Sequence, residues 1–315
     1  MNRSRAQTYL RPAVADPHAA LLRTPETLYR RAASPPTGNA DVPVLHLLIL
    51  AVVQGITEFL PISSSGHLVL TWQAFDALGW ESGITRESDR LVLDIAVHVG
   101  TLVAVCGYFR RDIAAMIAGL IRWLRGRRDS GAQLAINVVI ATIPLVIAGM
   151  GLKDRIGVLR DGTVIAATTI GFGLLLWAAD RMTGLTRRLP DMAVPDALLI
   201  GFLQILALIP GTSRAGITMT GARLLGYNRQ DAARFSMLLA IPAIVGAGLV
   251  AAADLHARGA VQLGLDALIA AGFACAAAWL AIALLMRWLR TAGFTPFVVY
   301  RVVLGLVLLG LIYLW

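Results

Sequence analysis

Three stretches of this chain, 134–152, 163–179 and 235–253, contain no charged side chain, and each is close to the length that carries a helix through a bilayer. A spanning helix takes about 20 predominantly apolar residues. Further apolar runs occur at 44–60, 91–109, 198–209, 265–286 and 297–315. With 57% hydrophobic and 15% charged residues and a mean hydropathy of +0.70, the composition lies outside that of soluble domains. An all-α integral membrane protein is the expected class.

The formal charge of +9 raises the question of nucleic acid. The basic residues fall in short loops between apolar runs, the pattern of cytoplasmic loops, so nucleic-acid binding is excluded as a reading. Cys106 and Cys275 lie in apolar runs without ligand-type spacing, which indicates neither a disulfide framework nor a zinc site. Residues 1–43 are rich in Arg and Pro; Pro12, Pro17, Pro25, Pro35 and Pro36 interrupt any long helix, and a disordered tail is expected there.

The runs at 44–60 and 198–209 differ from the rest. Each meets a proline and a polar turn and resumes as a second apolar segment, at 68–80 and 215–226. Non-helical backbone at membrane depth is tolerated only where it is buried in protein or lines a cavity, so two re-entrant helical hairpins are expected. The chain then reads hairpin plus three transmembrane helices, twice: repeat one over 44–180 and repeat two over 196–315, within one domain spanning 44–315. Three crossings per half invert the second half, giving an inverted repeat. Loop arginines, Arg110 to Arg128 and Arg181 to Arg188, put those loops in the cytoplasm and the first hairpin outside. Between Arg110 and Arg128, Ile113, Met116, Ile117, Leu120, Ile121 and Leu124 recur at helical spacing, predicting an interfacial helix. His46 and His256 read as interface residues near the ends of the spans.

Ionisable groups inside a membrane need a partner or a charged ligand, so the two broken turns are the candidate site. Gln54 and Glu58 stand four apart on one helical face before Pro61. A carboxylate beside an amide oxygen suits a hard divalent cation, and a buried carboxylate also suits pairing with a base. Ser63, Ser64 and Ser65 precede Gly66 and His67 at the start of the second arm, a pattern shared by anion-binding helix N-termini, by serine nucleophiles with a histidine base, and by simple caps. The second turn, Gly211-Thr212-Ser213-Arg214, adds a guanidinium matched to phosphate oxygens. Asp94 and His98, four apart in the following span, are expected to orient the first hairpin.

These residues resemble the bacterial undecaprenyl-diphosphate phosphatase family, known also as the bacitracin-resistance proteins. The resemblance covers roughly 44–315 and rests on Gln54-x-x-x-Glu58, on Pro61 to His67, on Pro210 to Arg214 and on Asp94-x-x-x-His98-x-Gly100. It implies hydrolysis of undecaprenyl diphosphate to the monophosphate and inorganic phosphate, recycling the lipid carrier for cell-wall synthesis and conferring bacitracin resistance. It implies dependence on Mg2+ or Ca2+ and a place in the bacterial inner membrane with the site facing the periplasm. Carried onto this chain, Ser64 is the nucleophile, His67 its acid/base partner, Glu58 a metal ligand or base, and Arg214 the phosphate clamp. Ser63, Ser65, Gly211, Thr212 and Ser213, in the two turns, are expected to contact substrate. Gln54 stands where many members have a second glutamate, so the site has one fewer negative charge. The expected partners are the isoprenyl diphosphate and membrane lipids, with a homodimer as one admissible assembly. A secondary transporter or lipid flippase is the competing reading, because inverted repeats with broken helices also build transporters.

Overall fold

The computed structural model describes residues 44–79, 87–127, 129–152, 161–182, 186–257 and 264–313. The tail expected over 1–43 lies outside these residues, as does most of the loop 153–162. Among the described residues there are eleven α-helices and no strand: α1 (Val44–Thr57), α2 (Ser64–Ala77), α3 (Glu87–Tyr108), α4 (Arg110–Leu124), α5 (Ser130–Leu152), α6 (Gly162–Arg181), α7 (Val194–Ile205), α8 (Arg214–Leu224), α9 (Arg229–Ala257), α10 (Leu265–Trp288) and α11 (Thr295–Tyr313). Six of them, α3, α5, α6, α9, α10 and α11, are long and apolar enough to cross a membrane.

The remaining helices follow from their composition. α1, α2, α7 and α8 have 14, 14, 12 and 11 residues. At 1.5 Å per residue none reaches about 30 Å, the thickness of the hydrocarbon core. α4 is the amphipathic helix expected between Arg110 and Arg128; Ile117, Ile121 and Leu124 are exposed on it, while Gly119 lies against α5.

Packing runs through small residues, which let helix backbones approach closely where lipid provides no hydrophobic drive. A Cβ on Gly55 of α1 would fall 2.6 Å from Ala277 Cβ and 2.8 Å from the Ala274 carbonyl of α10. A Cβ on Gly201 of α7 would fall 2.6 Å from the Ala141 carbonyl of α5. Thus α1 is seated on α10 and α7 on α5, while α6 packs with α11 and α3 with α9. The main core forms around α9, with Phe235, Met237, Leu238 and Leu239 buried among α3, α5, α8 and α10; a second cluster joins Leu47 and Leu50 to Trp72, Phe75 and Ala274. Around the perimeter, Val103, Ile147, Leu284, Val303 and Val307 stay exposed. So much exposed apolar surface is a liability in water and is well solvated by lipid.

Two details refine the expectation. α1 stops at Thr57, so Glu58 lies in the turn rather than on the helix, although its N–H still reaches the Gln54 carbonyl at 3.0 Å. His46 is buried, 6% exposed, and meets the Phe75 ring edge-on at 4.8 Å, so it packs inside the protein near the start of α1.

Candidate active site

The two polar turns meet. Residues 58–62 join α1 to α2, and residues 209–213 lead into α8. Ser63 and Ser213, each immediately before the second arm, have φ of 75° and 71° and are the two non-glycine residues in the left-handed region among the described residues. An L-residue held there costs about 1–3 kcal/mol, and such strain collects at functional sites. The two serines lie at equivalent places in the two motifs, so the same local kink starts α2 and α8.

Glu58 is the hub. It is 7% exposed, and a buried carboxylate needs several donors to replace water. Its Oε2 accepts from Ser64 Oγ at 2.7 Å and from Gln54 Nε2 at 3.0 Å, and its Oε1 accepts from Arg214 Nη2 at 3.1 Å. His98 Nε2 lies 3.9 Å from Oε2. Arg214 is held from its other side by the Ser236 carbonyl, which accepts from Nη1 at 3.1 Å. The charge that the first turn buries is therefore matched by the charge on the second.

His67 has other partners. Its Nδ1 is 2.7 Å from the Ser63 carbonyl, and its Nε2 is 2.6 Å from the Tyr300 hydroxyl. A carbonyl only accepts, so Nδ1 carries the proton and Nε2 receives the Tyr300 O–H. The rings of His67 and Tyr300 stack at 5.6 Å. Ser64 is thus paired with Glu58, and His67 with Tyr300 on α11, instead of Ser64 with His67.

Arg301, the next residue on α11, is fully buried. Its hydrogen bonds go to main-chain carbonyls: Nε to Thr169 at 2.9 Å, Nη1 to Pro61 at 3.3 Å, and Nη2 to Gly211 at 2.9 Å and Thr212 at 3.0 Å. One guanidinium therefore ties α6 and both turns together. Gly211, at φ 89°, fits under α6 because a Cβ there would fall 2.3 Å from Thr168 Oγ1. Tyr300 and Arg301 belong to no motif of the sequence analysis, although an arginine inside the apolar run 297–315 is the kind of intramembrane charge that calls for an explanation.

The other expected residues fall around this hub. Asp94 accepts from Trp72 Nε1 on α2 at 3.1 Å, and Ser213 Oγ accepts from the Gly216 N–H at 3.1 Å. Ser63 Oγ, Thr212 Oγ1 and Gln54 Oε1 are buried without a hydrogen-bond partner, while Ser65 is exposed, outside the cluster. No three His, Cys, Asp or Glu side chains converge among the described residues. With one carboxylate and the unpartnered Gln54 oxygen, the donors fit a divalent cation that arrives on a phosphate and keeps its waters. They do not form a protein-only cage.

The family model described as bacitracin resistance protein BacA matches residues 47–307. The chain belongs to the BacA family. BacA-family membership together with six candidate spans makes it a multi-pass membrane protein. Its BacA-family relatives include an undecaprenyl-diphosphatase of Ruegeria pomeroyi, 50% identical over 276 residues, covering 86% of this chain and 99% of the relative. Undecaprenyl-diphosphatase 1 of Rhodospirillum rubrum is 50% identical over 273 residues, covering 86% and 96%. The undecaprenyl-diphosphatase of Alteromonas mediterranea is 44% identical over 272 residues, covering 86% and 99%.

Proposed function

We propose that the protein hydrolyses undecaprenyl diphosphate to undecaprenyl phosphate and inorganic phosphate, recycling the carrier lipid for cell-wall synthesis and so supporting resistance to bacitracin. The observation that carries this reading is the Ser64–Glu58–Arg214 contact within a member of a family whose relatives bear that activity in their names. It joins a hydroxyl, a carboxylate able to take its proton and a guanidinium suited to phosphate oxygens.

In this reading the diphosphate enters between the turns and draws Arg214 toward its non-bridging oxygens. The Glu58 carboxylate takes the Ser64 proton as Oγ attacks the terminal phosphorus. The bond from phosphorus to the bridging oxygen breaks, and undecaprenyl phosphate leaves with the electron pair. Water then attacks the serine-bound phosphoryl group, passing a proton to the Tyr300 oxygen as the Tyr300 O–H proton moves to His67 Nε2, and the phosphorus–Oγ bond breaks, Oγ taking back the proton held by Glu58, to release inorganic phosphate. The α2 N-terminus, where Ser63 makes no side-chain cap bond, offers backbone N–H groups to the anion. Arg301 adds fixed positive charge behind both turns. A Mg2+ or Ca2+ ion held by Glu58 and Gln54 would offset phosphate charge.

The architecture we infer is an inverted repeat of re-entrant hairpin plus three spans, over 44–180 and 196–315. Gln54 and Gln204, Ser63 and Ser213, and Gly66 and Gly216 recur at one constant spacing. The paired serine kinks support it, as does the exchange in which α1 sits on α10 and α7 on α5. With the arginine-rich loops in the cytoplasm of an inner-membrane protein, the site opens toward the periplasm.

Acid quenching of the enzyme during turnover of terminally radiolabelled undecaprenyl diphosphate tests the chemistry. Labelled phosphoserine is expected in the wild type and not in Ser64→Ala. Substantial turnover by Ser64→Ala removes the nucleophile role.

A further inference from the structure

A second polar site lies at the other end of α8. The helix begins at Arg214 and carries Arg223 in its last turn, roughly 14 Å further along at 1.5 Å per residue. An open cleft of about 340 Å³ there is lined by Asp180, Met182, Arg223, Asn228, Arg229 and Arg290, among others. Its lining holds three guanidinium groups and one carboxylate.

The carboxylate is already committed. Asp180, 5% exposed at its side chain, lies 3.1 Å from Arg223 Nε, accepts from Arg229 Nε at 2.8 Å, and takes the Phe294 N–H at 3.2 Å. Arg223 donates its remaining nitrogens to the Tyr227 and Asp180 carbonyls at 2.6 and 3.2 Å. Arg229 meets Asp180 through Nε, which leaves its terminal nitrogens directed elsewhere, and Arg290 is exposed. Asn228, just before α9, and Arg229 and Gln230 in its first turn also line the cleft; Asn228 Oδ1 already accepts the Asp231 N–H at 2.9 Å, so the positive potential there comes from the arginines.

The surroundings match those of side chains at the level of lipid headgroups. Trp177 and Trp288 are 39% and 45% exposed at the ends of α6 and α10, and Arg181 stacks over the Trp177 ring at 4.6 Å. Tryptophan and arginine concentrate where a membrane helix meets water. We propose that this cleft binds a phosphate-type oxyanion, delivered by an anionic phospholipid headgroup or as free phosphate. The site is separate from the Glu58–Arg214 cluster and does not depend on its chemistry.

The test uses the full-length protein in uncharged detergent, with native mass spectrometry against phosphatidylglycerol and phosphatidylcholine and isothermal titration with inorganic phosphate. Arg290→Glu is the informative variant because it leaves the Asp180 pairs in place; Arg290→Gln removes the charge without reversing it, and thermal unfolding reports the fold of both. Preferential retention of phosphatidylglycerol by the wild type, weakened at least tenfold in Arg290→Glu and less in Arg290→Gln, supports the site with a lipid source. Saturable phosphate binding with the same dependence, without lipid preference, supports it with free phosphate. Equal behaviour of wild type and both folded variants in both arms overturns it.

Discussion

Arg214 donates to Glu58 at 3.1 Å across 156 positions of sequence, and this contact brings the two polar turns into one site. Neither residue is stable at membrane depth alone, because an uncompensated buried charge is strongly unfavourable. In the proposed mechanism this pairing holds a guanidinium near Ser64 until a more highly charged anion competes for it.

Replacing Arg214 by Lys keeps the charge but cannot serve Glu58 and the Ser236 carbonyl from one planar group. Steady-state kinetics should show kcat reduced by about 10²–10³-fold, the scale of losing one preorganised donor. Unchanged kcat would remove Arg214 from transition-state stabilisation.

Glu58→Gln keeps the shape of the hub while removing the proton acceptor for Ser64. A fall in kcat of about 10²–10⁴-fold is expected, typical of a lost general base, with the protein still folded by circular dichroism. Near-normal turnover would assign the Ser64 proton elsewhere.

Tyr300→Phe deletes the 2.6 Å contact to His67 while leaving the ring to stack. One hydrogen bond contributes about 0.5–1.5 kcal/mol, so kcat should fall up to about tenfold with KM little changed. A rise in KM alone would mean that Tyr300 acts on binding and not on His67.

Arg301→Leu strands carbonyls of α6 and both turns. Each unsatisfied buried group costs about 1–3 kcal/mol, so the thermal midpoint in detergent should drop sharply, with partial recovery in Arg301→Lys. A midpoint equal to that of the wild type would show that water or lipid replaces these bonds without cost.

The parts of this site that were legible in sequence are the costly ones. Glu58, His67 and Arg214 interrupt apolar runs, and Pro61 and Pro210 mark where the helices break, so the turns stand out in the sequence itself. Helical periodicity also located α4, and apolar runs located the six long helices, with boundaries differing by several residues: α9 begins at Arg229, because the charged first turn Arg229 to Asp231 extends the helix beyond the apolar run at 235. The link from His67 to Tyr300 was illegible, since 233 positions separate them and a tyrosine in an apolar helix is ordinary. The choice of Glu58 over His67 as the partner of Ser64 depends on side-chain direction in a left-handed turn, which spacing does not encode. Arg301 did leave a signal, a lone cation inside an apolar run, but its carbonyl partners come from three separate segments.

The most direct measurement is release of inorganic phosphate from undecaprenyl diphosphate by the purified protein, with added Mg2+ or Ca2+ and with chelator, beside Ser64→Ala and Arg214→Ala. Metal-stimulated release by the wild type, suppressed by chelator and lost in both folded variants, is the predicted result. No release by well-folded wild type under any metal condition, or undiminished release by both variants, would contradict a phosphatase built on the Ser64–Glu58–Arg214 contact.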